Sequence, residues 1–124
     1  MKRILLVDDA ATVRMYHRQL LEREGFQVDE AINGVEALEK AVSCRYDLYL
    51  VDVNMPKMDG YSFLREVRSR CEVQQSPAVM VSTEAEEKDR LAAFTAGANY
   101  YVIKPAKPEE LVFLARLMTG EAVL

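Results

Sequence analysis

Five short apolar stretches recur along the chain, and segments with helical spacing separate them. Short runs of β-type residues that end at polar or turn residues indicate strands. Three of the runs are almost wholly apolar, as expected of a parallel sheet that is covered on both faces. The predicted strands are Arg3–Val7, Phe26–Ala31, Leu48–Val51, Ala78–Ser82 and Tyr100–Ile103.

The segments between these runs repeat their apolar residues every three or four positions, which predicts helices. Gly25 provides a stop for the first helix, and Pro108 suits the first turn of the fifth. We expect Val13, Tyr16, Leu20 and Leu21 to face inward from the first helix, and Val35, Leu38 and Val42 from the second. The predicted helices are Ala11–Glu24, Gly34–Ser43, Tyr61–Arg70, Glu86–Ala96 and Pro108–Met118.

A regular alternation of strand and helix is typical of an α/β protein with right-handed crossovers. The pattern therefore predicts a doubly wound (βα)5 three-layer sandwich around a parallel five-stranded sheet. Ligands of such sheets bind beyond the carboxyl ends of the strands. Polar residues that end the predicted strands are thus the first candidates for a functional site.

The stretch "YDLYLVDVNMPKMDG", from Tyr46 to Gly60, places Asp52 within an apolar strand. A buried carboxylate without a partner is costly, so this aspartate needs a reason to be there. Asp8 and Asp9 end the first strand and would meet Asp52 at the same edge of the sheet. Crowded carboxylates call for a cation, and hard oxygen ligands suit Mg²⁺.

Lys104 and Ser82 also end predicted strands and bring an ammonium and a hydroxyl to this edge. This inventory suits a phosphoryl group on an aspartate, with a metal and a lysine neutralising its oxygens. Each residue alone also has a simpler explanation. Asp8 or Asp9 is a candidate cap of the first helix, Ser82 or Thr83 of the fourth, and Lys104 an ordinary loop residue. Thr83 and Glu86 also match a capping box.

The chain has 124 residues, of which half are hydrophobic and 29% are charged, with a net charge of −4. We expect one globular domain, residues 1–124, and the acidic balance disfavours nucleic acid as a partner. No apolar run approaches a membrane span, and the start is too short for a signal peptide. We therefore expect a cytoplasmic protein without membrane insertion, with Cys44 and Cys71 as free, partly buried thiols.

Four segments together resemble the receiver domain of bacterial two-component response regulators. They are "LLVDDAATVR", "LYLVDVNMPKMDG", "VMVSTEA" and "AGANYYVIKPAKPEEL". The resemblance extends from Lys2 to about Met118, nearly the whole chain. It implies a flavodoxin-like fold with strand order 2-1-3-4-5.

The resemblance also implies a role for each strand-end acid. Asp52 resembles the phosphoacceptor, which takes a phosphoryl group from the phosphohistidine of a sensor histidine kinase. Asp9 resembles a direct Mg²⁺ ligand, Asp8 the holder of a coordinated water, and Asp52 and the backbone carbonyl of Asn54 the remaining ligands. The chain would then be a stoichiometric phosphoacceptor with self-dephosphorylation activity, and not an enzyme.

By the same resemblance, Lys104 and Ser82 contact phosphoryl oxygens, and the Lys104–Pro105 bond is expected to be cis. Ser82 and Tyr101 match the switch positions, where Ser82 moves toward the phosphate and Tyr101 turns inward. Without the resemblance, Tyr101 reads equally as a half-buried aromatic residue of an edge strand.

Because no effector domain follows the fifth helix, we expect a stand-alone, monomeric regulator that signals by phosphorylation-dependent protein binding. Asn54 and Glu84, two residues after Asp52 and Ser82, resemble the fast-resetting chemotaxis type and are expected to tune dephosphorylation. The flagellar motor switch protein is therefore the expected target, reached from a chemotaxis-type kinase. A phosphate sink or an adaptor acting on a kinase or protease stays open as an alternative.

More distant alternatives are other flavodoxin-like proteins. An aspartate-nucleophile phosphatase usually has a second aspartate where this chain has Asn54. A flavin carrier needs a phosphate loop rich in glycine and hydroxyl groups, whereas "DDAAT" is acidic. Both are less consistent with the sequence than a receiver domain.

The output face implied by the resemblance carries Tyr100, Tyr101, Lys107 and Phe113. Phe113 falls away from the apolar stripe of the fifth helix, which makes it a candidate partner contact or a packing residue. Ala106 departs from the pattern, because many receivers have an aromatic residue directly after "KP". His17, the single histidine, is expected at the edge of the core of the first helix.

Overall fold

The computed structural model describes residues 1–121, in which five strands alternate with five helices. The strands are β1 (Arg3–Val7), β2 (Gln27–Ala31), β3 (Leu48–Asp52), β4 (Ala78–Ser82) and β5 (Tyr100–Ile103). The helices are α1 (Ala11–Arg23), α2 (Gly34–Ser43), α3 (Gly60–Ser69), α4 (Glu87–Ala96) and α5 (Pro108–Thr119). All ten predicted elements are present, with ends displaced by a residue at most.

The sheet is wholly parallel, and its strands lie in the order β2-β1-β3-β4-β5. This arrangement confirms the predicted fold class and strand order. The order reverses next to β1, so a crevice forms beyond the carboxyl ends of the central strands. Val7 of β1 lies opposite Val51 of β3, so Asp8 and Asp52, the next residues of the two strands, come level at that crevice.

The core has two layers because successive residues of a strand point to opposite faces of the sheet. In β1, Leu5 and Val7 belong to one buried cluster, with residues of α2, α3 and α4. Ile4 and Leu6 belong to the other, with residues of α1 and α5. All five residues of β3 are buried, which places Asp52 at the end of an otherwise apolar strand.

The predicted inward face of α2 was wrong at two of its three positions, because Leu38 alone packs against the core as expected. Ala37 and Ala41 are the buried residues, while Val35 and Val42 are 39% and 46% exposed. The helix lies close to its neighbours, and only small side chains fit at such a contact. At its first residue the Gly34 N–H donates to the Met58 carbonyl at 2.9 Å, which leaves no space for a Cβ.

The predicted inward face of α1 was wrong at one position. Tyr16 is 43% exposed, whereas the neighbouring His17 is buried at 6%. His17 and Leu21 are four residues apart, so they lie on the same face of the helix, and that face meets the sheet. His17 is therefore buried in the core, and not at the edge of the core as we expected.

Two further sequence expectations concern the surface of the fold. Cys44 and Cys71 are free thiols, as predicted, and of the two only Cys44 is partly buried, since Cys71 is exposed. Within residues 1–121, no helix combines the length and the apolar character needed to cross a membrane.

Candidate phosphoacceptor site

Three carboxylates converge at the carboxyl edge of the sheet. Asp8 and Asp9 follow β1, Asp52 ends β3, and one oxygen of each lies within 4.8 Å of the others. Asp8 and Asp52 are 6% and 8% exposed, while Asp9 faces solvent. The structure therefore brings together the three acids that the sequence placed at strand ends.

Lys104 is the cation that both buried acids share. Its Nζ lies 2.9 Å from Asp8 Oδ2 and 3.2 Å from Asp52 Oδ1, and the Lys104–Pro105 bond is cis, as expected. Burial alone lowers the pKa of Lys104, but hydrogen bonds and charge attraction from Asp8 and Asp52 outweigh it and raise that pKa. The ammonium is therefore firmly protonated and directed at the acids.

The Asp52 carboxyl is the most perturbed acid of this edge. Burial, followed by the charge of Asp8, raises its pKa from 3.8 to about 6, against the opposing effect of Lys104. A single ammonium thus does not offset the burial and mutual repulsion of two carboxylates. A shifted pKa in a crevice is characteristic of functional groups, although structural ion pairs also produce it.

Ser82 is fully buried at the end of β4, next to the segment that carries Lys104. Its Oγ accepts a hydrogen bond from the Glu84 N–H at 3.1 Å, and its carbonyl accepts one from the Lys104 N–H at 2.8 Å. Asn54 and Glu84 follow the ends of β3 and β4, with exposed side chains. The candidate tuning residues therefore flank the acid cluster from two loops.

The helix-capping roles that the sequence offered for the polar residues at this edge do not account for their positions. The N-cap of α4 is Glu86, which exchanges hydrogen bonds with Asp89, so the predicted Thr83–Glu86 capping box was wrong. The N-cap of α1 is Ala10, whose own side chain makes no capping hydrogen bond. Asp8 Oδ1 instead accepts the Ala10 N–H at 2.9 Å, and this bond orients the Asp8 carboxylate.

Tyr101 points into the protein from β5. It is 5% exposed, its hydroxyl donates to the Glu84 carbonyl at 2.7 Å, and the Arg90 guanidinium lies 5.9 Å from the centre of its ring. The ring is therefore buried and held by the loop after β4. By contrast, Tyr100 on β5, Lys107 at the N-cap of α5 and Phe113 on α5 are exposed.

Two groups lie near the acids: Arg14, which was not singled out from the sequence, and His17, which was expected only as a packing residue. Arg14 Nη1 donates to the Asp8 carbonyl at 2.8 Å, and its Nε donates to Glu30 Oε1 at 2.8 Å. His17 is buried beside them, and burial and the charge of Lys104 lower its pKa while Asp8 opposes the shift. Arg14 ends the segment "LLVDDAATVR", so its position next to the acids was a signal that sequence reasoning passed over.

The turn that follows Asp52 is held by the start of α3. Asp59 caps the helix by accepting the Ser62 N–H at 2.8 Å, and the Gly60 N–H donates to the Val53 carbonyl at 2.9 Å. A Cβ at Gly60 would overlap the carbonyl of Asp52. The pair "DG" is thus a tight entry into a helix and not a hairpin turn.

Comparison with known proteins agrees with this geometry. Residues 4–116 match the response regulator receiver domain. This chain belongs to the response regulator receiver domain family. The receiver is similar to the transcriptional regulatory protein ResD of Bacillus subtilis, with 39% identity over 97% of this chain and 49% of ResD. It is also 37% identical to SrrA of Staphylococcus aureus, over 93% of this chain and 46% of SrrA.

The receiver spans about half the length of these curated relatives. Among solved structures, it is similar to the chemotaxis protein CheY4 of Vibrio cholerae, with a TM-score of 0.89 and 33% identity over 95% of this chain and 98% of that one. It is also similar to TrrA of Thermotoga maritima, solved in complex with Mg²⁺-BeF, with a TM-score of 0.84 and 32% identity over 95% and 99% of the two chains. The chain is therefore the receiver domain of a two-component response regulator, a phosphoacceptor class of protein.

Proposed function

We propose that Asp52 accepts a phosphoryl group from the phosphohistidine of a sensor histidine kinase, with Mg²⁺ as cofactor. One observation carries the proposal: two buried carboxylates share a single lysine at the switch point of the sheet, and an exposed third carboxylate lies beside them. An Asp52 oxygen forms the new bond to phosphorus as the bond from phosphorus to the imidazole nitrogen breaks. The electron pair of that bond leaves with the histidine.

The residues present fit a magnesium ion. Asp8, Asp9 and Asp52 offer hard oxygen atoms close to one another, and the Asn54 carbonyl lies two residues after Asp52, which ends β3. When bound, Mg²⁺ supplies positive charge that neutralises the carboxylates and phosphoryl oxygens. Lys104 and Ser82 contribute an ammonium and a hydroxyl to bind further phosphoryl oxygens.

The decisive experiment is labelling with acetyl phosphate in the presence of Mg²⁺, followed by intact mass spectrometry. We expect one phosphoryl group per chain, stable in acid and labile in alkali, and no uptake when EDTA is present from the start of the reaction. Asp52→Asn should take up little label, whereas Asp47→Asn, changed at the other end of β3, serves as the matched control. Equal labelling of Asp52→Asn and the unchanged chain would reject the site.

The output proposed is phosphorylation-dependent binding of another protein by a monomeric, cytoplasmic receiver. A chemotaxis role with the flagellar motor switch as target is the narrower candidate, supported by Asn54 and Glu84 in the two flanking loops and by the similarity to CheY4. The transcriptional regulators among the relatives support a different output. Pull-down with and without acetyl phosphate, using motor switch protein as bait, separates the two.

The exposed residues Tyr100, Lys107 and Phe113 are proposed to contact the target, with Tyr101 and Ser82 as the switch. Phe113→Ala should weaken binding of the phosphorylated protein without changing labelling of Asp52. Leu117→Ala is a matched control on the same helix, because Leu117 is also exposed. Unchanged binding by Phe113→Ala would remove Phe113 from the contact.

The lifetime of the phosphorylated protein distinguishes the remaining alternatives. We expect self-dephosphorylation that slows when Asn54 or Glu84 is replaced, because both flank the site of water attack. A phosphate sink or a kinase adaptor would hold the phosphoryl group or return it to the kinase, and it would not bind a motor target. Repeated turnover of a small phosphate ester would instead support the aspartate-nucleophile phosphatase.

A further inference from the structure

A groove opens beside the acid cluster, between α1 and the segment that follows β5. Its volume is about 400 Å³, and binding sites for small organic molecules typically have ~300–1,000 Å³. The groove is therefore large enough for an organic group and not merely for water. Its two walls are formed by Thr12, Val13, Tyr16, His17, Pro105 and Ala106.

These walls are mostly apolar, and one of them is aromatic. The rings of Tyr16 and His17 lie side by side on α1, with centres 5.7 Å apart and planes tilted by 45°. Ala106 is buried and presents only a methyl group, so it leaves the space between the walls open. Aromatic and aliphatic walls favour a planar apolar group over a polar one.

One end of the groove reaches the proposed phosphoacceptor site. Lys104 and Thr83 line the groove, and Lys104 Nζ is also 3.2 Å from Asp52 Oδ1. His17 lines both the groove and the small cavity that contains Asp8 and Asp52. An occupant with an apolar body and an anionic end would thus meet complementary surroundings at both ends.

We infer that the groove binds the apolar acyl group of an acyl phosphate that phosphorylates Asp52. The inference rests on the proposed function and adds a binding site for the acyl group of such a donor. An Asp52 oxygen bonds to phosphorus while the bond from phosphorus to the acyl oxygen breaks, and the electron pair leaves with the released carboxylate. The exchange needs no proton and no redox partner.

The test compares benzoyl phosphate with acetyl phosphate as donors to the full chain in Mg²⁺. Intact mass spectrometry gives the two rate constants, and their ratio is the measured quantity. Ala106→Phe places a side chain in the groove, and we expect it to lower the benzoyl-to-acetyl ratio by about tenfold, since burying an aromatic ring contributes on this scale. The intrinsic reactivity of the two donors cancels when the ratios of two proteins are compared.

A matched control and a second variant keep the test decisive. Met15→Ala changes an exposed residue of α1 outside the groove and should leave the ratio unchanged. Tyr16→Ala removes the aromatic wall from an exposed position and should lower the ratio even if Ala106→Phe does not fold. Circular dichroism identifies a variant that does not fold.

Binding of benzoate gives a readout without phosphoryl transfer. We expect saturable shifts of the Thr12, Tyr16 and Ala106 amide signals in NMR spectra, and their loss in Ala106→Phe. Two results would overturn the inference and leave the proposed function intact. One is a benzoyl-to-acetyl ratio that is equal in the unchanged chain and in the labelled groove variants, and the other is the absence of NMR shifts with benzoate. Failure of both donors to label Asp52 would instead reject the proposed function.

Discussion

Two neighbouring groups of charges around β1 contain acids in opposite circumstances. Glu30, on the strand beside β1, accepts hydrogen bonds from Arg14 at 2.8 Å and from Arg18 at 2.5 Å. Asp8 and Asp52, at the carboxyl edge, share Lys104 alone among the described cations. Arg14 joins the two groups, because it also donates to the Asp8 carbonyl.

The two groups shift pKa values in opposite directions. Burial alone raises the pKa of Glu30, but the hydrogen bonds and charges of Arg18 and Arg14 outweigh it and lower that pKa. At Asp52, burial and the charge of Asp8 win over Lys104, and the pKa rises to about 6. The difference shows that the fold pairs acids fully where they are structural and leaves negative charge in excess where the candidate chemistry lies.

The largest expected effect comes from removing the shared cation. Lys104→Met should lower the free energy of unfolding by about 3 kcal/mol at pH 8 without divalent ions, since it leaves two buried carboxylates unpaired. Urea unfolding followed by circular dichroism measures the change. Lys107→Met, an exposed lysine in the same segment, should shift it by less than about 0.5 kcal/mol. Equal losses in both variants would contradict the comparison.

Replacing the excess acid should have the opposite sign. Asp52→Asn is expected to raise the free energy of unfolding by about 2 kcal/mol at pH 8 in the absence of divalent ions, because it removes a buried charge whose pKa is raised. The same urea measurement detects it. A destabilised Asp52→Asn protein would mean that Lys104 fully compensates Asp52.

The pH dependence of stability provides an independent check on Asp52. Its pKa is 3.8 as an ordinary carboxyl and about 6 in the folded protein, so the folded state binds the proton more tightly. The stabilisation from this proton is present below about pH 4 and is lost as pH rises through about 6. We expect the unfolding free energy of the unchanged chain to fall by about 2 kcal/mol relative to Asp52→Asn across that window. Parallel pH profiles would refute the raised pKa.

The fully paired acid should respond as a structural residue. Glu30→Gln is expected to lower the free energy of unfolding by about 1 kcal/mol, because two charge-assisted hydrogen bonds become weaker. Phosphorylation of Asp52 by acetyl phosphate should continue. A gain in stability from Glu30→Gln would place Glu30 in the same class as Asp52.

The smallest effect is expected at the outer arginine. Arg18→Gln should cost no more than about 0.5 kcal/mol, because its side chain is 40% exposed and solvent screens its ion pairs with Glu22 and Glu30. The loss should shrink further in 1 M salt. A loss that salt does not change would show that Arg18 acts through packing.

The order and type of the elements followed from the sequence because apolar runs and helical spacing agree along the whole chain. The convergence of Asp8, Asp9 and Asp52 followed too, because parallel strands share one carboxyl edge. Local pattern failed at α2, where the small residues Ala37 and Ala41 are buried. The distance at which a helix packs against its neighbours is a tertiary property, and hydrophobicity along one segment does not report it.

Contacts between residues that are far apart in the chain could not be predicted from the sequence either. The closeness of Arg14 to Asp8 in the sequence was a signal, but nothing in the sequence indicates that its guanidinium also reaches Glu30 of β2. The burial of His17 depends on the rotation of α1 against the sheet. The groove beside Lys104 needs two segments that are about ninety positions apart in the chain.

The contact between Gly60 and the carbonyl of Asp52 has a consequence for how a modification at Asp52 is transmitted. The first turn of α3 lies directly against the main chain of Asp52, on the side away from its buried carboxylate. Added negative charge therefore acts on an anchored strand that cannot retreat. We therefore expect any displacement to occur in the segments that follow β4 and β5, which carry Thr83 and Pro105.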